Sequence, residues 1–139
     1  VSRFSLPTLL ELLLVAWLSL AINWVIDILG HRKAGGIPVR TLVTHSIFTA
    51  PLWGGLVGVA TVIVSKSVLN IDVGSTMTFL AIITGVMIAW LHLFLDSLTE
   101  AGVYLGRGRI AIAHFSYNNP LINLGFMIIG VILLIVSFF

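Results

Sequence analysis

Cysteine is absent from all 139 residues, and charged residues make up only 9% of the chain. The first absence excludes disulfides, thiolate metal sites and cysteine nucleophiles, so any metal must be held by His, Asp, Glu or backbone oxygen. The second excludes a fully water-solvated surface. Ordinary soluble domains carry about 25% charged residues, whereas this chain is 59% hydrophobic. Basic runs are also missing. Seven scattered Lys and Arg and a net charge of +2 read as membrane orientation rather than nucleic-acid binding. No internal repeat or low-complexity tract is present.

What is there is apolar sequence in four blocks, each near the roughly 20 residues needed to cross a bilayer. The expected spans run from about Leu6 to Leu29, Thr41 to Ser65, Thr76 to Leu98 and Pro120 to Phe139. The expectation is therefore a single all-α domain over residues 1–139, an integral membrane bundle of four transmembrane helices. The first block is too long for a signal-peptide core and ends in Asp27 and His31 without a small-residue cleavage pattern. Pro7 suits a first turn, Gly30 a C-terminal stop, and Pro51 should kink the second helix. Gly54 and Gly58 have the small-xxx-small spacing that lets membrane helices approach closely. The four tryptophans fit packing or interfacial belt roles, and Glu11 is placed to pair with Arg3.

Residues four apart share a helix face. Asn23, Asp27 and His31 form one polar stripe, Thr41, His45 and Thr49 a second, His92, Asp96 and Glu100 a third, and Asn119 with Asn123 a fourth. In the expected topology all four stripes lie at the same membrane face. All four histidines are there, as are Asp27, Asp96 and Glu100; only Glu11 and Asp72 lie elsewhere. An ionisable residue inside a membrane helix costs about 2.5 to 3.5 kcal/mol at the centre and less near the interface, so such a cluster needs a compensating partner. A divalent metal supplies one, and a cysteine-free set of imidazoles and carboxylates suits zinc while accepting manganese or iron. Helix-end hydrogen bonding without a metal is the alternative.

The segments IDILGH from Ile26, PVRT from Pro38, THSIFTAPLWG from Thr44 and HLFLDSLTEAGVYL from His92 resemble the prokaryotic membrane-bound metal-dependent hydrolases. These include the LexA-regulated inner-membrane type and a related archaeal membrane domain of unknown function. The resemblance runs from about Asp27 to Pro120. Its most specific pieces are Thr44-His45-Ser46 and His92 to Gly102, which is similar to an H-x-x-x-D-x-x-T-x-x-G pattern. It implies a cytoplasm-facing metal centre in a helical bundle, with His45, His92 and Asp96 as ligands and Asp27 next. Where many members have Pro-Asp-x-Asp, this chain has Ile26-Asp27-Ile28-Leu29, which speaks against a second metal.

The expected function is metal-dependent hydrolysis of an amphipathic, phosphate-containing substrate at the cytoplasmic interface, with membrane lipid as a partner and a phospholipid-like molecule as the candidate substrate. His45, His92, Asp96, Asp27 and His31 are the candidate ligands. Glu100 or Asp27 is the candidate base, and Arg40 with Arg107 or Arg109 would bear on phosphoryl charge. The alternative is a non-enzymatic membrane subunit, in which the cluster is structural and apolar faces bind partner membrane proteins or further copies of the chain.

Orientation follows from basic residues. Arg32, Lys33, Arg40, Arg107 and Arg109 lie on one side of the expected topology, and Arg3 and Lys66 on the other. This excess puts the first and third loops of a prokaryotic membrane protein in the cytoplasm and both ends of the chain outside. In this cysteine-free chain, single cysteines at Ala34 and Gly108 should react with an impermeant reagent only from the cytoplasmic side, and one at Ser67 only from outside. Labelling of Ala34 and Ser67 from one side would end the topology.

Overall fold

The computed structural model describes residues 6–34, 37–116 and 118–136. It is mostly helical, with α1 at Leu6–Gly30, α2 at Ala50–Ser67, α3 at Ser75–Ser97 and α4 at Pro120–Val136. The first three are long and apolar enough to cross a membrane. Helix α4 is apolar but has 17 described residues, and the expected last turn at 137–139 lies outside the described residues, as does Arg3.

The chain is not purely helical. Antiparallel hairpins join β1 (His31–Ala34) to β2 (Ile37–Arg40) and β3 (Val103–Leu105) to β4 (Gly108–Ile110), where the glycine and proline content suggested plain loops. The second hairpin turns through Gly106 at φ 62°, the glycine-first geometry that matches strand twist in a two-residue turn. Both hairpins lie at the helix ends where the polar stripes gather, and the Val68–Gly74 connection lies at the other end.

Helix α2 begins nine residues later than its hydropathy suggests. Residues 41–49 form consecutive turns instead. Their hydroxyls take up backbone groups that a helix would otherwise use: Thr49 Oγ1 donates to Leu42 O (2.8 Å), Thr44 Oγ1 to Ile26 O (2.8 Å), and Ser46 Oγ accepts from Phe48 N (3.3 Å). Such local bonding competes with helix. Pro51 consequently sits in the first turn of α2, where its missing N–H costs nothing, rather than kinking a longer helix.

Each packed helix buries a row spaced by four: Leu18, Ile22 and Ile26 on α1, Ala50, Gly54, Gly58 and Val62 on α2, and Ala81, Gly85, Ala89, Leu93 and Ser97 on α3. Lipid offers no hydrophobic drive between helices, so association rests on close van der Waals approach. Gly54 and Gly85 provide it. A Cβ on either would collide with the other's carbonyl, and one on Gly58 would lie 2.7 Å from Ala81 O. Helix α1 closes this pair through Leu18, Ile22 and Ile26 against Ala50, Ala89 and Leu93. Helix α4 buries none of its residues, so three helices form the core.

Gly54→Ala should destabilise the protein in detergent by about 1 to 3 kcal/mol through overpacking. Gly125→Ala, where a Cβ meets nothing within 4 Å, should leave the thermal midpoint nearly unchanged. Equal effects would show that the α2–α3 approach is not what holds the bundle.

Candidate metal centre

Helices α1 and α3 and the 41–49 turns bring Asp27, His45, His92 and Asp96 to one point. Asp27 lies in the last turn of α1, while His92 and Asp96 lie one turn apart on α3. His45 reaches the site from the turns, which are pinned to β3 by Tyr104 N donating to His45 O (2.9 Å) and Ile47 N donating to Tyr104 O (3.1 Å). Gly30 makes room for it, since a Cβ there would overlap Thr44 Oγ1 and the His45 ring. The sequence marked Gly30 as a helix stop; its lack of a side chain is what admits the histidine.

Ring orientation is set by hydrogen bonds on the far nitrogens. Thr44 Oγ1 spends its proton on Ile26 O, so it accepts from His45 Nδ1–H (3.0 Å). Asn23 Oδ1 accepts from His92 Nδ1–H (2.7 Å). Both Nε2 atoms are then lone-pair acceptors facing inward. His45 Nε2 is 3.4 Å and His92 Nε2 3.3 Å from Asp96 Oδ2, and His92 Nε2 is 3.7 Å from Asp27 Oδ1. The two Nε2 atoms and Asp96 Oδ2 are buried without a hydrogen-bond partner.

Three buried acceptors facing one another with no donor between them is an unfavourable arrangement on its own, because each loses its hydration uncompensated. A cation at their centre removes the penalty. Ligands at about 2.0 to 2.1 Å from a tetrahedral ion stand about 3.3 Å apart, close to the 3.3 and 3.4 Å separations seen here. Asp27, His45 and His92 offer ligand atoms all within 4.8 Å of one another, and Asp96 Oδ2, outside that group of three, lies against both Nε2 atoms as a further oxygen. The donor set fits a divalent ion.

Asp96 shares its carboxylate between two tasks. Its Oδ1 accepts from Arg40 Nη2 at 2.7 Å, while Arg40 Nη1 donates to Thr99 Oγ1 (3.0 Å), Gly102 O (2.9 Å) and Asp96 O (3.4 Å). The H-x-x-x-D-x-x-T-x-x-G spacing thereby acquires a physical meaning. His92 and Asp96 face the centre, Thr99 and Gly102 hold the guanidinium that holds Asp96, and Gly102 adopts φ 61° with no space for a Cβ beside Ile110 O. Arg40, expected as a phosphoryl clamp, is committed to this loop.

The other expected residues lie further out. His31 turns Nδ1 onto Asp27 O (2.9 Å), with its ring centroid 5.0 Å from that of His45, and is not among the three residues whose ligand atoms converge. Glu100 and His114 are exposed, with Glu100 on the turn beyond α3. Asn119 caps α4, its Oδ1 accepting from Leu121 N and Ile122 N (3.1 and 3.3 Å). Asn23 and Thr44 were visible as polar residues, but their orienting roles depend on partners that no local spacing reveals.

Over residues 1–95 the chain matches a family described as a protein of unknown function (DUF1286). It belongs to that family. The matched stretch contains Asp27, His45 and His92 and ends one residue short of Asp96. No curated protein and no solved structure matches the chain.

Burial is also what tunes His45. Its ring has no accessible surface, and its pKa is lowered from 6.5 to about 4, chiefly by desolvation, with Asp96 opposing and Arg40, His31 and His92 adding to the drop. Above pH 6.5 the ring is neutral in both folded and unfolded chains. Between 6.5 and 4 only the unfolded chain takes up the proton, so stability falls as pH falls, by up to about 1.4 kcal/mol per pH unit. Thermal unfolding of the metal-free protein should show this slope, and His45→Gln should flatten it. An unchanged slope would mean that His45 titrates like a free histidine.

Proposed function

We propose that this chain is a membrane-embedded metal-dependent hydrolase, with zinc as the ion, acting on an amphipathic phosphoester at the cytoplasmic interface. The observation that carries the reading is the convergence of donorless acceptors from His45, His92 and Asp96 beside the more open Asp27. The similarity of Thr44-His45-Ser46 and His92 to Gly102 to membrane-bound metal-dependent hydrolases supports it.

When bound, zinc would polarise a phosphoryl oxygen and bring a water molecule towards neutral-pH ionisation. The residues do the rest. His45, His92 and Asp96 would hold the ion from one side, and their burial keeps that side closed. Asp27 is 53% exposed while the His45 side chain is 0% exposed, so substrate and water approach over Asp27. Its carboxylate takes the proton as the water oxygen bonds to phosphorus, the ester P–O bond breaks, and Asp27 returns that proton to the leaving alkoxide. Asp27 suits this role better than Glu100, which lies on the turn past α3. Arg40 is a positioning residue that acts through Asp96. Beside their ion pair lies a hollow of about 240 Å³ with Thr99, Ser116 and Asn123 on one part of its wall and Leu95, Phe115 and Phe126 on another, a mixed lining that would suit an amphipathic ligand.

Metal content and phosphoester hydrolysis should be titrated together in purified protein. The parent should hold one ion per chain. His45→Ala and His92→Ala should each lose the ion and nearly all turnover, with the double variant little worse than either, because ligands of one ion act as a unit. Asn23→Leu should keep the fold yet weaken metal binding roughly 10- to 100-fold, the usual cost of losing a partner that orients a ligand. A parent that binds its ion stoichiometrically but hydrolyses no phosphoester, with His45→Ala shedding a partner protein, would replace the enzyme by a structural subunit.

A further inference from the structure

A second feature stands on the other side of α3, independent of the metal centre. Trp90, Leu93 and Phe94 of α3 face Val103, Leu105 and Ile110 of the β3–β4 hairpin across a groove of about 340 Å³. Every polar side chain on its walls is turned to a backbone carbonyl: Trp90 Nε1 donates to Ile47 O (3.2 Å), Ser97 Oγ to Phe94 O (2.6 Å) and Tyr104 OH to Arg40 O (3.4 Å). What remains facing the groove is hydrocarbon. It lies at the polar end of the bundle, where a membrane-spanning α3 meets the headgroup region. Apolar surface there gains by burying an apolar chain, at about 25 cal/mol per Å² removed from water.

The hairpin that walls the groove also carries charge. Arg107 follows the Gly106 turn two residues from Leu105, and Arg109 is the cross-strand partner of Tyr104, which itself lines the groove, so both side chains spring from positions beside it. Both are exposed, and neither forms an ion pair or side-chain hydrogen bond among the described residues. Guanidinium forks match phosphate oxygens. A ligand that fits both halves has a hydrocarbon chain and a negative phosphate, with net charge to distinguish it from the zwitterionic bulk.

We propose that the α3/β3–β4 groove is a binding site for an anionic phospholipid, with one acyl chain between α3 and the hairpin and the phosphate at Arg107 and Arg109. The site selects anionic over zwitterionic lipid, and it does not need the metal centre to do so. Each guanidinium near the surface contributes about a five-fold preference for anionic lipid.

The absence of native cysteine allows a local test. A single cysteine at exposed Ile112, on the groove rim, carries a bimane fluorophore in phosphatidylcholine nanodiscs, and brominated-chain phosphatidylglycerol or phosphatidylcholine is titrated in as quencher. Phosphatidylglycerol should associate at Ile112 about 10- to 30-fold more strongly, whereas a label at Ile129 on α4 should report no preference. Arg107→Gln with Arg109→Gln should reduce the preference at Ile112 to below about two-fold, and Arg32→Gln with Lys33→Gln should leave it intact. Equal quenching by the two lipids would overturn the site. So would a preference lost equally with Arg32 and Lys33, which would make it a general surface potential. A label shielded from both lipids in a chain of dimeric mass would assign the groove to a second copy instead.

Discussion

The polar end of this protein depends on the Asp96 carboxylate and the way its two oxygens are divided. One oxygen is bound by Arg40, which ties β2 to the end of α3 and to the Thr99–Gly102 turn. The other faces the Nε2 atoms of His45 and His92. A carboxylate so placed balances one positive charge and leaves capacity for a second. The guanidinium fixes where that second charge can sit, because it prevents the carboxylate from turning both oxygens away from the imidazoles. Removing Arg40 would free Asp96 and leave a buried carboxylate without its permanent cation, among the costlier single losses available to a protein interior.

That arrangement requires close packing below it. The imidazole and carboxylate separations are a few tenths of an ångström from ligand geometry, and such positions hold only if the helices bearing them cannot slide. Gly54 against Gly85 and Gly58 against Ala81 bring α2 and α3 into backbone contact. Backbone contact fixes axial register more tightly than long, flexible side chains do. Leu18, Ile22 and Ile26 then seat α1 at the height where Asn23 reaches His92 and Ile26 O receives Thr44. The same stripe of α1 therefore fills the core with one set of residues and orients the site with the intervening ones.

The parts legible in the sequence were those carried by one continuous helix. The i, i+4 pair His92 and Asp96 enters the centre as a unit because α3 runs unbroken through both. The pair Asp27 and His31 does not, because α1 ends at Gly30 and His31 begins a strand, so its ring turns back to the Asp27 carbonyl instead. The stripe reading places His45 on a helix running from Thr41. His45 reaches the same place on non-helical turns, where the hydroxyls of Thr44, Ser46 and Thr49 bond backbone groups and Pro51 opens α2. The hairpins were missed because strands of three or four residues carry too little periodicity to separate from loop. The roles of Gly30, Asn23 and Thr44 were hidden for a different reason: each is defined by a partner from another element.

The asymmetry of burial around the centre bears on whether it is structural or reactive. A structural zinc site is closed, with all positions taken by side chains held by the fold, whereas a catalytic one keeps a position on which water and substrate can exchange. Here the ligands form a gradient. His45 is fully enclosed, His92 and Asp96 are nearly so, and Asp27 is half open at the end of a helix that is followed by exposed His31, Arg32 and Lys33. The three enclosed ligands are each held by an orienting bond, from Thr44, Asn23 and Arg40 respectively. Among the described residues Asp27 has no such bond on its carboxylate, which is approached by His92 Nε2 at 3.7 Å and by His31 Nδ1 at 3.8 Å, the latter committed to the Asp27 backbone oxygen. A carboxylate that no orienting bond pins, beside two imidazoles and a carboxylate that are pinned, would suit the proton transfer that the proposed hydrolysis needs.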